Sequence, residues 1–571
     1  MGIIQLKEAN CKNCYKCIRE CPVKAISFKE EQACVMEKEC ILCGNCILAC
    51  PQNAKEVVSD LDKVKGFIKR KDKVYVTLAP SYTSFFEGVD FGTISNSLKK
   101  LGVMHVEETA VGASKVSTAY EKLLIEEQMK NIITTACPSA VLLIEKYYPD
   151  LINLMAPVVS PMMAHAKTLR EVFGNRIKVV FIGPCISKKH EVDDLLSGGK
   201  VNAAITFEEL KLWFMEEGVT LDAEPSPVKS IKNGASRFYP MPGGIIRTLS
   251  RESRRYYKCI SVDGVGRCME ILDSIRKGEV SNYFIEMNAC EGGCLGGPCM
   301  RTSKISFLRA KDDLIQNVRQ LKEGSGYVTD GVDIGLERKF IDRSVVAPMP
   351  NEKEIAQILK RIGKTKPEQE LNCGGCGYPS CRDKAVAVFQ GKADPKMCLP
   401  FVRERAESIS NLIIDNTPNA IIALDCELKV QEINPAALDM FMIDKDDILG
   451  QPIEGFVPCS LYDEVINEGE TTRNHKVTYD SLGITVEQTV IHIKEQQVTV
   501  IILKNITSEE KHQQGLAKVR EDTLEIAQKV IDKQMRVAQE IASLLGETTA
   551  ETKTALTKLK KSILTDVGEG S

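Results

Sequence analysis

Residues 285–298 read IEMNACEGGCLGGP, which places Cys290 and Cys294 on a glycine-rich turn behind an apolar run. Glycine lets backbone approach an inorganic centre closely, because no Cβ intervenes. Two distant segments offer matching thiols. TTACPSAV (134–141) carries Cys137 after the strand-like NIITT, and in VVFIGPCISKKHE (179–191) a β-branched run ends at Cys185, with Lys188 three residues on. Ligands this scattered can share a centre only inside a folded domain. Two of the three segments follow apolar runs, so the expected arrangement is strand ends converging on a crevice, as in open α/β sheets.

Nearer the N-terminus the ligands are local. CKNCYKCIRECP (11–22) and CILCGNCILACP (40–51) both fit C-x2-C-x2-C-x3-C-P. In such a repeat three close cysteines wrap one cubane and the fourth, beside proline, serves the other. That crossing assigns Cys11, Cys14, Cys17 and Cys50 to one 4Fe–4S cluster and Cys40, Cys43, Cys46 and Cys21 to its twin. Zinc would have no use for the exchanged fourth cysteine. The module resembles a bacterial ferredoxin, which implies electron transfer. Cys34, outside both motifs, reads as a buried small side chain.

The scattered set resembles the catalytic domain of the iron-only (FeFe) hydrogenases over about residues 70–345, whose signatures are T-S-C-C-P, M-P-C-x2-K-x2-E and E-x-M-x-C-x2-G-C. The resemblance implies that Cys137, Cys185, Cys290 and Cys294 hold a 4Fe–4S cluster. Cys294 would bridge to a two-iron unit carrying CO, cyanide and an azadithiolate, and Lys188 would hydrogen-bond a cyanide. It also implies an Ala-Pro-Ser turn near the distal iron, here Ala79, Pro80 and Ser81. EKYYPDL and SPMM, beginning at Glu145 and Ser160, keep the family's spacing after the first motif.

The departures are as informative. The family's proton-relaying cysteine is Ala136 here, and a serine further along its relay aligns with Ala156. A methyl group neither donates nor accepts a proton, and losing a positioned acid–base group typically costs ~10²–10⁴ in rate. Gly183 and Asn288 replace methionines, Ala140 a tryptophan and Met162 a glutamine. These changes resemble the sensory, group D-like branch. Cys299 in GGPCM is a candidate replacement proton donor or redox-sensitive thiol, with simple packing as the other reading. Cys259 and Cys268 read as core residues.

A further set, Cys373, Cys376, Cys381 and Cys398, has the pattern C-x2-C-x4-C-x16-C and resembles small Fe–S modules of electron-transfer complexes, with a zinc ribbon as the alternative. Residues 407–508 then change character. Helix, two strands, an N-x-A-A helix, a D-x-L-G turn and final strands leading to N-I-T resemble a PAS domain whose ligand the sequence leaves unknown. His475 and His492 read there as ordinary strand residues, and Cys426 and Cys459 lack ligand spacing. In the tail, Leu516, Val519, Ile526, Val530, Val537 and Leu544 recur at 3-4 spacing, interrupted by Thr523, Lys533 and Glu540, as in a weak coiled-coil seam or a helix folded back on its own domain.

The whole is expected to be a multidomain α/β and α+β protein: a ferredoxin-like module at 1–60, a two-lobed α/β FeFe-hydrogenase catalytic domain at 70–348, a small 4Fe–4S module at 352–404, a PAS α+β domain at 407–508 and an amphipathic signalling helix at 509–563. Sixteen of 22 cysteines are placed as ligands, and basic and acidic residues nearly balance at 75 and 78. Neither a nucleic-acid groove nor a membrane-seeking face is expected. With no secretory signal or apolar span in view, the expected location is the cytoplasm. The expected function is slow, sensory interconversion of dihydrogen with protons and electrons. A ferredoxin-type redox partner, a signalling protein at the PAS domain or helix, and homodimerisation complete the expectation. Two alternatives stand beside it: a non-catalytic iron–sulfur protein of the assembly type without the two-iron unit, and a redox sensor whose PAS domain is the true input.

Overall fold

The computed structural model describes residues 2–221, 231–301, 305–320, 326–455, 472–545 and 549–565. Cys459 lies outside them. The chain divides into two compact units, Met1–Val402 and Arg403–Ser571.

The first unit opens with two short antiparallel pairs, β1 (Ile4–Leu6) with β4 (Lys55–Val57) and β2 (Ile26–Lys29) with β3 (Gln32–Val35). Each cysteine repeat ends in a short helix, Lys16–Arg19 or Asn45–Ala49. Cys34 corrects an expectation: on β3 it is exposed, because alternate strand residues face outward and it falls on the outer face.

Two parallel sheets follow. One runs in the order β6 (His105–Glu108), β5 (Val74–Leu78), β8 (Lys178–Ile182), β9 (Ala203–Ile205). The other runs β10 (Lys258–Asp263), β11 (Tyr283–Asn288), β7 (Ile132–Ile133). Val74–Leu78 is buried at every position, as expected of a central parallel strand covered on both faces. Two apolar cores fill the domain: the first sheet lies in one, and the second sheet faces that core with Ile132 and Phe284 and the other with Ile133 and Ile285. The two sheets mark the two lobes of the α/β domain, and Cys268 is buried in the second core.

A small helical module, with helices Glu352–Arg361 and Cys381–Phe389, closes the unit. It packs on the ferredoxin-like module rather than standing apart: Phe28 N donates to Lys392 O at 2.7 Å, and Lys392 pairs with Glu39 at 2.7 Å.

The second unit is built on a five-stranded antiparallel sheet, ordered β13 (Val430–Ile433), β12 (Ala420–Leu424), β16 (Val498–Asn505), β15 (Ile484–Ile493), β14 (Thr472–Tyr479). Asn434 caps the helix Pro435–Phe441 by accepting from Ala437 N at 3.0 Å, and it ties β12 by accepting from Ile421 N at 2.8 Å. His475 and His492 lie on strands, the latter bonded to Thr499 Oγ1 at 3.0 Å. The helix Thr507–Leu545 leaves Leu516, Val519, Ile526, Val530 and Val537 exposed. Among the described residues no helix is long and apolar enough to cross a membrane.

Candidate metal centre

Every residue of the scattered set follows a strand's C-terminal end. Cys137 follows β7 and stands at the N-cap of the helix Pro138–Tyr147, Cys185 follows β8, and Cys290 and Cys294 follow β11. All four line one small cavity of ≈ 20 Å³ between the two lobes. Cys137, Cys185 and Cys294 also line a larger adjoining cavity of ≈ 90 Å³ with an apolar wall. Ala79, Pro80, Ser81, Ala136 and Lys188 line that second cavity too. Ser81 Oγ is fully buried there without a hydrogen-bond partner. Such an orphan is costly unless a bound group satisfies it.

Lys188 is 8% exposed and reaches the wall between fixed anchors. Its Nζ donates to Glu191 Oε2 at 2.6 Å and to Ala136 O at 3.4 Å, while Arg338 donates to the other Glu191 oxygen at 3.1 Å. Asn288 lines both cavities, and beneath it lies Glu286, whose carboxyl burial pushes up to about 7 against backbone N–H donors such as Ile246 N at 3.0 Å. Gly183 has a local reason to lack a side chain. A Cβ there would stand 2.5 Å from Phe181 Cζ, and that ring lines the cavity itself.

The local sets converge as well. Cys11, Cys14, Cys17 and Cys50 line a single cavity. Burial chiefly raises the Cys46 thiol, and its thiol neighbours are Cys43, Cys40 and Cys21. In the small module, burial raises Cys376, with Cys398 and Cys373 close by, and Lys384 lies among Cys376, Cys398 and Cys381. Among the described residues no three His, Cys, Asp or Glu side chains close on a point as for a single metal ion; the scattered quartet and the Cys11 set instead surround voids.

The quartets are neighbours. Cys43 lines the same small cavity as the scattered four. Arg19 bridges the first and last sets, donating to Cys14 O at 3.2 Å and Gly375 O at 2.8 Å. Gly377, at φ +97°, lets the last loop sit against Ile18, since a Cβ would come within 2.7 Å of Ile18 Cγ2. Sequence spacing gave no hint of this docking. Two further residues lie off the larger cavity's wall. Cys299 is 3% exposed but is absent from the larger cavity's wall; it packs with Ile186 and Cys46, and burial raises its thiol, so the structure does not place it as a proton donor. Ala156 is fully buried and likewise off that wall.

A two-lobed parallel α/β domain thus presents four thiols at its strand ends beside a second cysteine-rich module, the ligand chemistry of an iron–sulfur protein. Residues 72–298 match the iron-only hydrogenase large subunit, C-terminal domain. Residues 3–54 match a 4Fe–4S dicluster domain, 369–400 an Fe–S cluster family and 411–503 the PAS fold. Iron hydrogenase 1 of Clostridium pasteurianum is 24% identical over 333 residues, 48% of this chain and 58% of that protein. Nuclear prelamin A recognition factor of Xenopus laevis is 22% identical over 349 residues, 47% of this chain and 74% of that one. A variant of HydA1 from Chlamydomonas reinhardtii aligns with TM-score 0.40 at 17% identity, covering 50% of this chain and 100% of that one. The chain spans a little over half the length of the clostridial protein and of the NADP-reducing hydrogenase subunit HndD of Solidesulfovibrio fructosivorans. The chain thus carries a domain similar to that of the iron-only hydrogenases, together with a 4Fe–4S dicluster domain and a PAS domain.

Proposed function

We propose that this chain is a slow, sensory FeFe hydrogenase that interconverts dihydrogen with protons and electrons and passes its redox state to the PAS domain. The carrying observation is the pair of joined cavities: four thiols around the smaller, with Cys294, Lys188 and the Ala79–Ser81 turn on the larger. Cys137, Cys185, Cys290 and Cys294 would hold a cubane, and the larger cavity would take a two-iron unit with CO, cyanide and azadithiolate ligands. That unit, when bound, supplies the site of heterolytic dihydrogen cleavage. The chain's own part is to exclude water with an apolar wall, hold the Lys188 charge at the rim, and offer Ser81 Oγ to a ligand. Ala136 offers no proton.

The Cys11, Cys21 and Cys373 sets would hold three further cubanes. Cys43 beside the catalytic quartet makes the second ferredoxin-like cluster the inner link, and the Arg19 and Gly377 contacts bring the small module's cluster onto the same module. A one-electron carrier of the ferredoxin class is the proposed external partner. The exposed stripe on Thr507–Leu545 is the proposed seam for a second copy or a signalling protein.

A second reading keeps the cubanes but lacks the two-iron unit. Its support is the 22% identity to cytosolic iron–sulfur assembly component 3 of Pongo abelii, close to that of the hydrogenases. Infrared spectra of protein matured under strict anaerobiosis separate the two: metal-bound CO and cyanide bands are expected, and their absence from iron-replete protein selects the assembly-type reading. For the relay to the PAS domain, hydrogen exchange across 407–563 should differ between hydrogen and mild oxidant. A coupling of about 1–3 kcal/mol changes protection several-fold or more, and identical protection would leave the PAS domain an independent input.

Lys384 yields a prediction about the small module. It is 1% exposed, burial lowers its pKa, and its Nζ donates to Pro395 O at 2.9 Å. Its charged surroundings are Cys376, Cys398, Asp394 and Cys381. A unit charge ~6 Å from a cluster, at an effective dielectric of ~20, interacts by about 3 kcal/mol. Lys384→Met should therefore make this cubane harder to reduce by at least tenfold, ~59 mV for one electron. A redox titration followed by paramagnetic resonance checks it, with the other cubanes unshifted.

A further inference from the structure

Behind the larger cavity, the sheet edge carries polar side chains where an apolar core would suffice. β5 and β6 pair in parallel with Thr77 opposite Glu107. Side chains two apart on a strand share a face, so His105, Glu107 and Thr77 stand together. The helix Pro161–Phe173 packs on β5 and brings His165 onto that face. Thr109 follows β6 and lines the cavity.

The result is an unbroken file of hydrogen bonds. Thr109 Oγ1 lies 2.8 Å from Thr77 Oγ1, and Thr77 Oγ1 lies 2.7 Å from His165 Nδ1. His165 Nε2 lies 3.2 Å from Glu107 Oε2, and Glu107 Oε1 lies 2.8 Å from His105 Nε2. Thr77, His165 and Glu107 are fully buried. The His105 side chain is 26% exposed, on the edge strand of its sheet. One end therefore meets the cavity and the other meets solvent.

We propose that Thr109, Thr77, His165, Glu107 and His105 form the proton relay of the larger cavity, in place of the route that Ala136 interrupts. The proposal rests on reading that cavity as the hydrogen site. A purely structural network would need neither a cavity terminus nor a solvent terminus, and a buried His–Glu pair adds little stability over apolar packing.

The proton count closes along the file. Burial pushes the Glu107 carboxyl up, but hydrogen bonds from His105, His165 and Thr329 outweigh it and hold the group at about 2, so it rests ionised. As an acceptor it takes the His165 Nε2 proton into its hydrogen bond and leaves Nδ1 free to accept from Thr77. An outgoing proton enters at Thr109 Oγ1, whose own proton moves to Thr77. The Thr77 proton moves to His165 Nδ1 and the His165 Nε2 proton to Glu107 Oε2. The carboxyl turns to present it at Oε1, and it passes to His105 Nε2 once solvent exchange has left the His105 ring proton on Nδ1 rather than Nε2. His105 then releases its Nδ1 proton to solvent. The file resets when the two hydroxyls and the carboxyl turn back and each imidazole returns to its starting tautomer, His165 to Nε2–H and His105 to Nδ1–H. Each group gains and loses one proton, and no electron moves. Inward delivery is the reverse.

The test has an iron-free arm and a loaded arm. The chain has six histidines, so selective ¹⁵N-histidine labelling of unloaded protein resolves individual rings. His105→Gln should slow solvent exchange of the His165 ring proton at least tenfold; unchanged exchange overturns the relay. In loaded protein with normal infrared bands, Thr77→Val and His165→Gln should lower hydrogen evolution at least tenfold, within the ~10²–10⁴ range for lost acid–base groups. His105→Ala should lose a similar factor and recover it with added imidazole, a rescue that a merely structural role would not show. Wild-type rates in loaded Thr77→Val and His105→Ala, or a His105→Ala loss that imidazole leaves untouched, overturn it. Missing infrared bands in the wild type count against the proposed function alone, since the exchange experiment needs no iron.

Discussion

Cys294→Ala should abolish hydrogen turnover and the infrared bands of metal-bound CO and cyanide while sparing the three other cubanes. Cys294 is one of three thiols that line both cavities, and its backbone N–H, donating to Pro240 O at 2.7 Å, fixes the turn that presents it. Cys137 and Cys185 share that double position, so the prediction for Cys294 rests on the resemblance that makes it the bridge. A thiolate's charge and its bond to iron have no substitute in a methyl group. Groups that merely orient a ligand cost 10–100-fold in metal affinity when lost, and loss of the ligand itself should cost more. Anaerobic iron analysis should show the two-iron unit gone, and paramagnetic resonance of the reduced protein should retain the signals of the Cys11, Cys21 and Cys373 sets. Bands of bound CO and cyanide persisting in loaded Cys294→Ala would remove Cys294 as the bridge.

The metal-bearing parts were readable because their logic is local or covalent. Two C-x2-C-x2-C-x3-C-P repeats dictate the exchanged fourth cysteine, and Cys50 does line the cavity of Cys11, Cys14 and Cys17. Apolar runs ending in Cys185 and Cys290 become strands whose ends meet at one void. What the sequence hid depends on faces brought together from afar. Gly377 meets Ile18, and Lys392 meets Glu39, across more than 350 residues, and no periodicity encodes such docking. The file from Thr109 to His105 had a faint trace in the run His105-Val-Glu-Glu-Thr109, where polar residues alternate along a buried strand. Its partner His165 lies 58 residues beyond Glu107 on a helix that reads as ordinary core. Ala156 aligns by spacing with a position further along the family's relay, and the structure places it fully buried and off the cavity wall.

Ala136→Cys should raise hydrogen evolution in fully loaded protein. Ala136 lines the larger cavity immediately before Cys137. Its backbone is pinned on both sides: Thr135 Oγ1 donates to Val158 O at 2.8 Å and to Ala156 O at 3.1 Å, and Lys188 Nζ reaches Ala136 O at 3.4 Å. A thiol at this position therefore projects from a fixed wall into the cavity and adds a group that can carry a proton. The ceiling for a fully restored relay is ~10²–10⁴, and a thiol without onward partners should recover much less. Ala156→Ser is a weaker second step, because a hydroxyl buried there without a partner costs about 1–3 kcal/mol. The background decides what the gain means. If Thr109, Thr77 and His165 already carry protons, the thiol opens a parallel path, and its fold-gain should be larger in Thr77→Val than in the wild type. Equal fold-gains in the two backgrounds would show that the hydroxyl file does not limit turnover. No gain in either, with normal infrared bands, would move the limit from proton delivery to electron transfer along the cubanes.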